Sequence, residues 1–360
     1  MKQALPWRHR AATLPARAGG SAPLPGCHGM KRLQRLREGI NRSDEVLEIG
    51  PYHAPIASKA LGYRATTLDL VGADELRVRA EADPSIDDAG VKAIEEVDLV
   101  GSACAVGDLV RDRLGPAKRF DWVLASHTIE HMPDPIRFLE QCAQVLGPGG
   151  ILRMAVPDRR GCFDHFRPSS DISEWVQAYR ERRTRPTVYQ VFREECYRAQ
   201  VTGRDGGRVV WRLGEIPARD IKVAEQSLAL FRAWFGPSGI EPTEYIDTHC
   251  WAFTPESFEL LVRDTIAFGL VSLDVTRMSR THGHEFFIDL RRTASAGAID
   301  ECRYFETRRR LLRRTVWHDS MGLSLAMPFA VLRRTVRSLC RLMRRRGASS
   351  RSDGSRQAAA

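Results

Sequence analysis

One stretch limits what this chain can fold into more than any other: residues 120–160, FDWVLASHTIEHMPDPIRFLEQCAQVLGPGGILRMAVPDRR. Phe120 to Ala125 is a short apolar run of the kind that parallel sheets bury on both faces. Ser126 to Pro135 breaks it with polar residues and prolines, and Pro135 suits the first turn of a helix, where no N–H is needed. Ile136, Leu139, Cys142, Ala143, Val145 and Leu146 then recur at helical spacing. Gly147-Pro148-Gly149-Gly150 stops that helix and turns the chain, through positive φ at glycine and fixed φ at proline. Ile151 to Val156 reads as a second buried strand, closed by Pro157-Asp158. The spacing predicts a βαβ unit with polar residues gathered after each strand, where open α/β sheets bind ligands.

The preceding residues extend that pattern. Val46 to Gly50 is a buried strand ending in glycine, with a short helix expected after Pro51-Tyr52-His53-Ala54-Pro55 as far as Ala60 and Gly62 as its cap. Tyr63 to Leu70 is the second strand, and Glu95 to Val100 the third, leaving through Gly101-Ser102-Ala103. Asp108 opens a helix over DLVRDRL.

The 120–160 stretch resembles the second half of class I S-adenosylmethionine-dependent methyltransferases, close to FDxVxxxxxxEHxxDPxxxLxxxxxxLxPGGxLxxxxPD over about forty residues. VPDRRGCFDHFRP, RTRPT and HCWAFTPESF…GHEFFIDLRR resemble a bacterial branch of small methyltransferase-domain proteins, some encoded with cell-surface polysaccharide genes. The resemblance covers about residues 30–292. It implies an α/β fold, a Rossmann-like doubly wound sheet with a reversed last strand, and S-adenosylmethionine as cofactor. It also implies a cofactor site: Glu48, Gly50, Pro51 and Tyr52 after the first strand, Asp69 and Leu70 at the ribose, Ser102 and Ala103 at the adenine, and Ser126 and His131 after the fourth strand. Asp69 lies 21 positions past Glu48, near the ~20-residue offset of a nucleotide-binding unit. Two departures stand out. Of the family's ExGxGxG only Gly50 remains, with Ala54 at the last glycine, and Ser102 stands where relatives often place an acid.

Beyond Asp158 the chain departs from a minimal domain. Residues 161–245 are expected to form a mainly helical insertion or lid that binds the acceptor. Its predicted elements are helices over Asp171–Arg183, Thr187–Ala199 and Asp220–Phe235, with a hairpin at Thr202–Gly214. Residues 246–293 resume the core: His249 to Phe253 extended, a helix capped by Thr254 with Pro255 first, then Leu270–Met278 and Glu285–Leu290 as an antiparallel pair. Residues 1–29, rich in Ala, Arg, Pro and Gly, are expected to be disordered, with the folded protein and a plausible alternative start near Met30.

The formal net charge of +10 is unevenly placed. Residues 43–302 sum to −10, whereas 303–346 hold 13 arginines against two acids. An acidic middle argues against a nucleic-acid partner, as does the absence of a (D/N)PP(Y/F) motif. Phe329, Leu332, Val336, Leu339 and Met343 recur at helical spacing among the arginines, so residues 294–360 read as a basic amphipathic, partly disordered tail suited first to an anionic membrane surface, second to docking a partner and third to nucleic acid. Met321 to Leu332 is too short an apolar stretch to span a bilayer. The eight cysteines show no paired spacing, which suggests a reducing, cytoplasmic setting, peripheral to the membrane if the tail binds it.

Methyl transfer to a hydroxyl asks for positioning and the removal of one proton. His127, His165 and Asp158 are the candidate bases. His127-Thr-Ile-Glu130-His131 also fits the HxxEH of inverted zinc peptidases, but that site needs both histidines on a helix, and Pro133 and Pro135 make this segment a loop. Glu130 is read as fixing that loop through backbone donors, and His282-Gly-His284-Glu285 as a turn. No metal site is expected. Arg180, Arg182, Arg183 and Arg185 read first as a solvated helix end and second as a binding patch for an acidic acceptor. The function expected is transfer of a methyl group to a small-molecule or saccharide acceptor, on oxygen. The alternative, motivated by Ala54 and Ser102, is a catalytically degenerate relative acting as a membrane-associated assembly partner.

Overall fold

The computed structural model describes residues 28–201, 210–294 and 300–321. It divides into one unit over residues 1–315 and a second over 316–360. In chain order, α1 (His28–Leu36) leads to β1 (Glu45–Ile49), β2 (Arg64–Asp69), α2 (Ala73–Glu81), α3 (Asp88–Lys92), β3 (Leu99–Val100) and α4 (Val106–Leu114). Then come β4 (Phe120–Ser126), α5 (Pro135–Val145) and β5 (Leu146–Pro157). The insertion holds α6 (Ile172–Glu181), α7 (Val188–Tyr197), β6 (Ala199–Val201), β7 (Ile221–Val223) and α8 (Ser227–Trp234). α9 (Pro255–Ala267), β8 (Leu273–Met278), β9 (Glu285–Arg292) and α10 (Glu301–Met321) follow.

The main sheet has the order β3-β2-β1-β4-β5-β9-β8. Strands β1 to β5 pair in parallel, and β9 lies antiparallel between β5 and β8. The reversal sets Glu285, at the start of β9, opposite Pro157, at the end of β5. Val46, Leu47, Val123, Leu124, Leu152 and Val156 are fully buried, as an apolar run covered on both faces must be. A charged pair also crosses this core. Arg153 donates to both oxygens of Asp289 at 2.8 and 2.9 Å and to the carbonyls of Leu36 and Glu38, so its burial is compensated.

The βαβ unit forms as its spacing predicts. Asp134 caps α5 by accepting from Arg137 N at 2.9 Å, and Pro135 takes the first helical position. The glycines at 147–150 differ from expectation: they belong to an irregular start of β5, in which Leu146 already pairs with Phe120. A Cβ on Gly150 would sit 3.0 Å from the Phe120 carbonyl oxygen, a tight contact that glycine avoids.

Four other expectations need correction, and a fifth falls only partly within the described residues. No α-helix follows β1; turns lead instead to a 3-10 segment at Lys59–Leu61, closed by Gly62 at φ +82°. The third strand shrinks to Leu99–Val100, because the Asp98 carboxylate accepts from Thr67 N at 2.8 Å in place of a ladder bond. The helix predicted from Asp220 begins at Ser227, since 221–223 pair with 199–201 in a small two-stranded sheet. The hairpin predicted at Thr202–Gly214 lies partly outside the described residues, and Trp211 N, which is described, donates to Gly161 O at 2.9 Å. The insertion is not wholly a lid: Trp175 of α6 is fully buried in the main core, edge-on to Trp251, Phe253 and Phe258.

The termini also differ in part. α1 already includes His28 and Gly29. α10 docks through its first half: Tyr304 Oη and Arg308 Nε donate to the buried Asp264 of α9 at 2.9 and 3.1 Å, and Leu311 is buried. Residues 1–27 and the apolar positions Phe329 to Met343 lie outside the described residues. Cys104, Cys142, Cys162 and Cys250 are buried free thiols. Among the described residues, no helix is long and apolar enough to cross a membrane.

The insertion leaves and rejoins the core at one place. Arg159 N donates to Phe253 O at 2.7 Å and Ser170 N to Ala252 O at 3.0 Å.

Candidate active site

The carboxyl ends of β3, β2, β1 and β4 are neighbours, which brings Ser102, Asp69, Gly50 and Ser126 to one edge of the sheet. Gly50 takes φ +67°, a conformation glycine adopts without strain, and a Cβ there would meet only Thr128 Oγ1 at 3.6 Å. Tyr52 follows at φ +43°. Glu48 lies beneath this turn. Its buried carboxylate accepts from Ile56 N at 2.6 Å and Ala57 N at 2.8 Å, stapling the 50–57 loop to β1. Burial pushes its pKa up to about 7 despite the two amides. The structure therefore gives Glu48 a loop-shaping position rather than an exposed one.

Asp69 is half-buried at the end of β2. Its Oδ1 accepts from Leu70 N at 2.7 Å, and among the described residues Oδ2 has no hydrogen bond. Burial raises its pKa, with the Leu70 amide acting the other way. Ser102 caps the 3-10 turn at Ala103–Ala105 by accepting from Cys104 N at 3.3 Å, and Ala103 is buried. Ser126 accepts from Arg32 of α1 at 2.6 Å.

His127 directly follows β4 at φ +52°, with its amide donating to Ala155 O at 2.9 Å. Its Nε2 lies 2.9 Å from Glu285 Oε2. Arg32 grips the same carboxylate with Nε at 2.7 Å and a second guanidinium nitrogen at 2.9 Å. Burial alone would raise the Glu285 pKa, but the hydrogen bonds from His127 and Arg32 outweigh it and bring it to about 2. An ionised Glu285 can only accept, so Nε2 carries the hydrogen and Nδ1 is left as the basic atom. His127 is one-third exposed.

The other two candidate bases are tied down. Asp158 is fully buried, and its carboxylate accepts from Arg160 N and Nε at 3.0 and 2.9 Å and from Thr281 Oγ1 at 2.5 Å. That arrangement fits an anchor for the turn before β9 rather than a base open to substrate. His165 Nδ1 donates to Arg160 O at 3.0 Å and its ring lies against Phe166 and Trp211, which places it in a structural turn. Burial lowers its pKa.

A second polar cluster gathers around His131 and His249. His131 Nδ1 lies 3.1 Å from Asp247 Oδ1; burial would lower its pKa, but Asp247 and the more distant Glu130 and Glu194 lift it to about 10. His249 Nδ1 lies 2.5 Å from Asp164 Oδ2, whose partner oxygen accepts from Arg167 at 2.7 Å. Burial would raise Asp164, yet Arg167 and His249 hold it well below the usual carboxylate range. Arg32, Asp164, Asp247 and His249 were not singled out from sequence. Only the polar pair DH inside the apolar CFDHF, and the polar THC before WAF, hinted at buried roles.

Residues 26–265 match the family described as "Methyltransferase domain", two-thirds of the chain. This chain belongs to that family, the class I methyltransferases, for which S-adenosylmethionine is the cofactor. The residues fit that group: a glycine turn open above β1, and an Asp69 carboxylate with an oxygen to spare at the end of β2.

Among individual proteins, the chain is 32% identical over 123 residues to a ubiquinone biosynthesis O-methyltransferase of Caulobacter vibrioides, covering 34% of this chain and 42% of that protein. A protein of the same name from Bradyrhizobium is 42% identical over 48 residues, 13% of this chain and 19% of that protein. The chain thus spans less than half the length of the curated relatives it matches. The CcbJ methyltransferase from Streptomyces caelestis is a structural neighbour at 12% identity and TM-score 0.39, covering 77% of this chain and 99% of that one.

Proposed function

We propose that this protein transfers a methyl group from S-adenosylmethionine to a hydroxyl oxygen of a small-molecule acceptor. The observation that carries the reading is the Arg32–Glu285–His127 array at the carboxyl edge of the sheet. When bound, the cofactor supplies an activated methyl group. Gly50, Pro51 and Tyr52 would shape the loop that receives it, and Asp69 would accept from its ribose hydroxyls. His127 would take the acceptor proton at Nδ1, while Glu285 fixes its tautomer and balances the imidazolium that forms. Transfer to oxygen is also what the names of the curated relatives state of those proteins.

A saccharide, free or built on a lipid carrier, is the acceptor class we favour within this reading, from the sequence resemblance to polysaccharide-associated proteins. Attachment of the protein to an anionic membrane surface through its basic C-terminal region belongs to the same proposal. Because Tyr304 and Arg308 hold Asp264, the deletion that tests attachment should begin at residue 322 rather than within α10.

The test combines binding and turnover. Calorimetry should show S-adenosylhomocysteine binding to wild type and equally to His127→Ala, while His127→Ala lowers kcat about 100- to 10,000-fold on any acceptor found. Failure to bind at millimolar ligand would instead favour a catalytically degenerate assembly protein. The absence of an α-helix after β1 is the observation on that side.

A further inference from the structure

We propose that Glu130, His131 and His249 form a binding site for one divalent transition-metal ion. Their candidate ligand atoms all lie within 4.8 Å of one another. Glu130 carries the argument. Its side chain is fully buried, and neither carboxylate oxygen has a hydrogen-bond partner. His127 Nδ1 comes no closer than 3.6 Å to Oε1, beyond hydrogen-bond reach. A buried carboxylate left this way is costly unless a cation meets it.

The two histidines are already oriented for that cation. Asp247 engages His131 at Nδ1, 3.1 Å away, and Asp164 engages His249 at Nδ1, 2.5 Å away. Carboxylates at both Nδ1 atoms place the hydrogens there and leave Nε2 as the ligand atom, which on His131 binds the ion in exchange for a proton. This is the outer-shell arrangement that holds histidine ligands in metal centres. The imidazoles meet edge to face at 4.7 Å. Backbone contacts hold the two segments in register: Trp251 N donates to Glu130 O at 3.2 Å, and Trp251 Nε1 to Met132 O at 2.6 Å. Two imidazoles and one carboxylate suit zinc, cobalt or ferrous iron and leave coordination positions open.

The neighbouring cluster of His127, His284 and Glu285 makes the contrast. There Glu285 is already matched by two guanidinium nitrogens of Arg32, so no unmet charge calls for an ion. An ion at the Glu130 site would stand beside His127. On the reading of the protein as a methyltransferase, its open position would take the acceptor oxygen and ease loss of the hydroxyl proton.

The full chain, stripped with EDTA and dialysed, should be titrated with Co²⁺ and Zn²⁺. We expect one ion per chain, visible d–d bands with Co²⁺, and competition by Zn²⁺. Glu130→Gln and His249→Ala should each weaken binding by ~100-fold, and Asp247→Asn by ~10-fold. His284→Ala should leave it unchanged. No stoichiometric binding at ~100 μM ion would overturn the proposal, well above the affinities usual for such sites. So would binding that survives both Glu130→Gln and His249→Ala, or that disappears with His284→Ala. Should His249→Ala fail to fold, the near-isosteric Glu130→Gln and the wild-type titration still decide. Binding of S-adenosylhomocysteine to the stripped protein, measured alongside, separates failure of the metal site from failure of the methyltransferase reading.

Discussion

At the ends of β1, β2 and β3 the sheet edge is shaped by backbone, whereas at β4, β5 and the start of β9 it is shaped by charge. The first half presents a glycine turn, a positive-φ tyrosine and one carboxylate with an oxygen to spare. The second half is a lattice of ion pairs: Arg32–Glu285–His127, Arg160–Asp158–Thr281 and Arg167–Asp164–His249. A cofactor common to a whole family can be received by backbone that many sequences supply. On the proposed function, an acceptor peculiar to one protein would need particular side chains, here brought together from α1, the insertion and β9.

The comparison can be broken most sharply in the charged half. Arg167 and Asp164 are both 1% exposed, so Arg167→Ala leaves a buried carboxylate with only His249 and the weak Cys162 thiol donor. Denaturant unfolding should show a loss of about 3–5 kcal/mol. A loss below 1 kcal/mol would mean that the lattice is ornamental.

Acid and neutral pH should act oppositely on the two halves. Glu285 is depressed from 4.5 to about 2 when folded. It therefore adds stability, on the order of 3 kcal/mol, that is complete above pH 4.5 and disappears as pH falls towards 2. Glu48 is raised from 4.5 to about 7. Protonated in both states below pH 4.5, it has no effect there, and a comparable amount of stability is lost as pH rises through 7. Urea titrations from pH 3 to 8 should give a curve falling on both sides. Glu285→Gln should flatten the acid limb and Glu48→Gln the neutral one, whatever their absolute stabilities. A single monotonic slope would contradict the assignment.

The smallest effect belongs to the backbone half. Asp69→Asn should weaken S-adenosylhomocysteine binding by about tenfold while leaving unfolding unchanged, because among the described residues its side chain bonds only Leu70 N, the neighbouring amide. Equal affinity in the variant would take Asp69 out of the cofactor site.

What sequence made legible follows the same division. The unit from Phe120 to Pro157 could be read because its two apolar strands, Pro135 and the helical spacing between them are local signals. The helix expected after β1 could not be excluded, since the capture of Ile56 N and Ala57 N by Glu48 is a tertiary event. Helix α6 looked peripheral because Trp175 meets partners about 80 positions away. Asp164 and His249 are 85 positions apart, and Arg32 and Glu285 253 apart, so no spacing rule joins them. The Glu130 carboxylate was expected to fix its loop through backbone donors, and the structure gives it none.

The junction where Arg159 N meets Phe253 O has a consequence for how such a protein changes over generations. A segment whose two ends are already fastened together behaves as a cassette. Doubling the length of a closed loop costs only about 0.6 kcal/mol, so residues between α6 and Thr248 can be trimmed, extended or exchanged with little strain on the sheet. A graft would have to retain α6, because Trp175 fills the common core. If the insertion binds the acceptor, as its sequence leads us to propose, lineages can trade one acceptor for another at this seam while the opposite half of the edge goes on receiving the same cofactor.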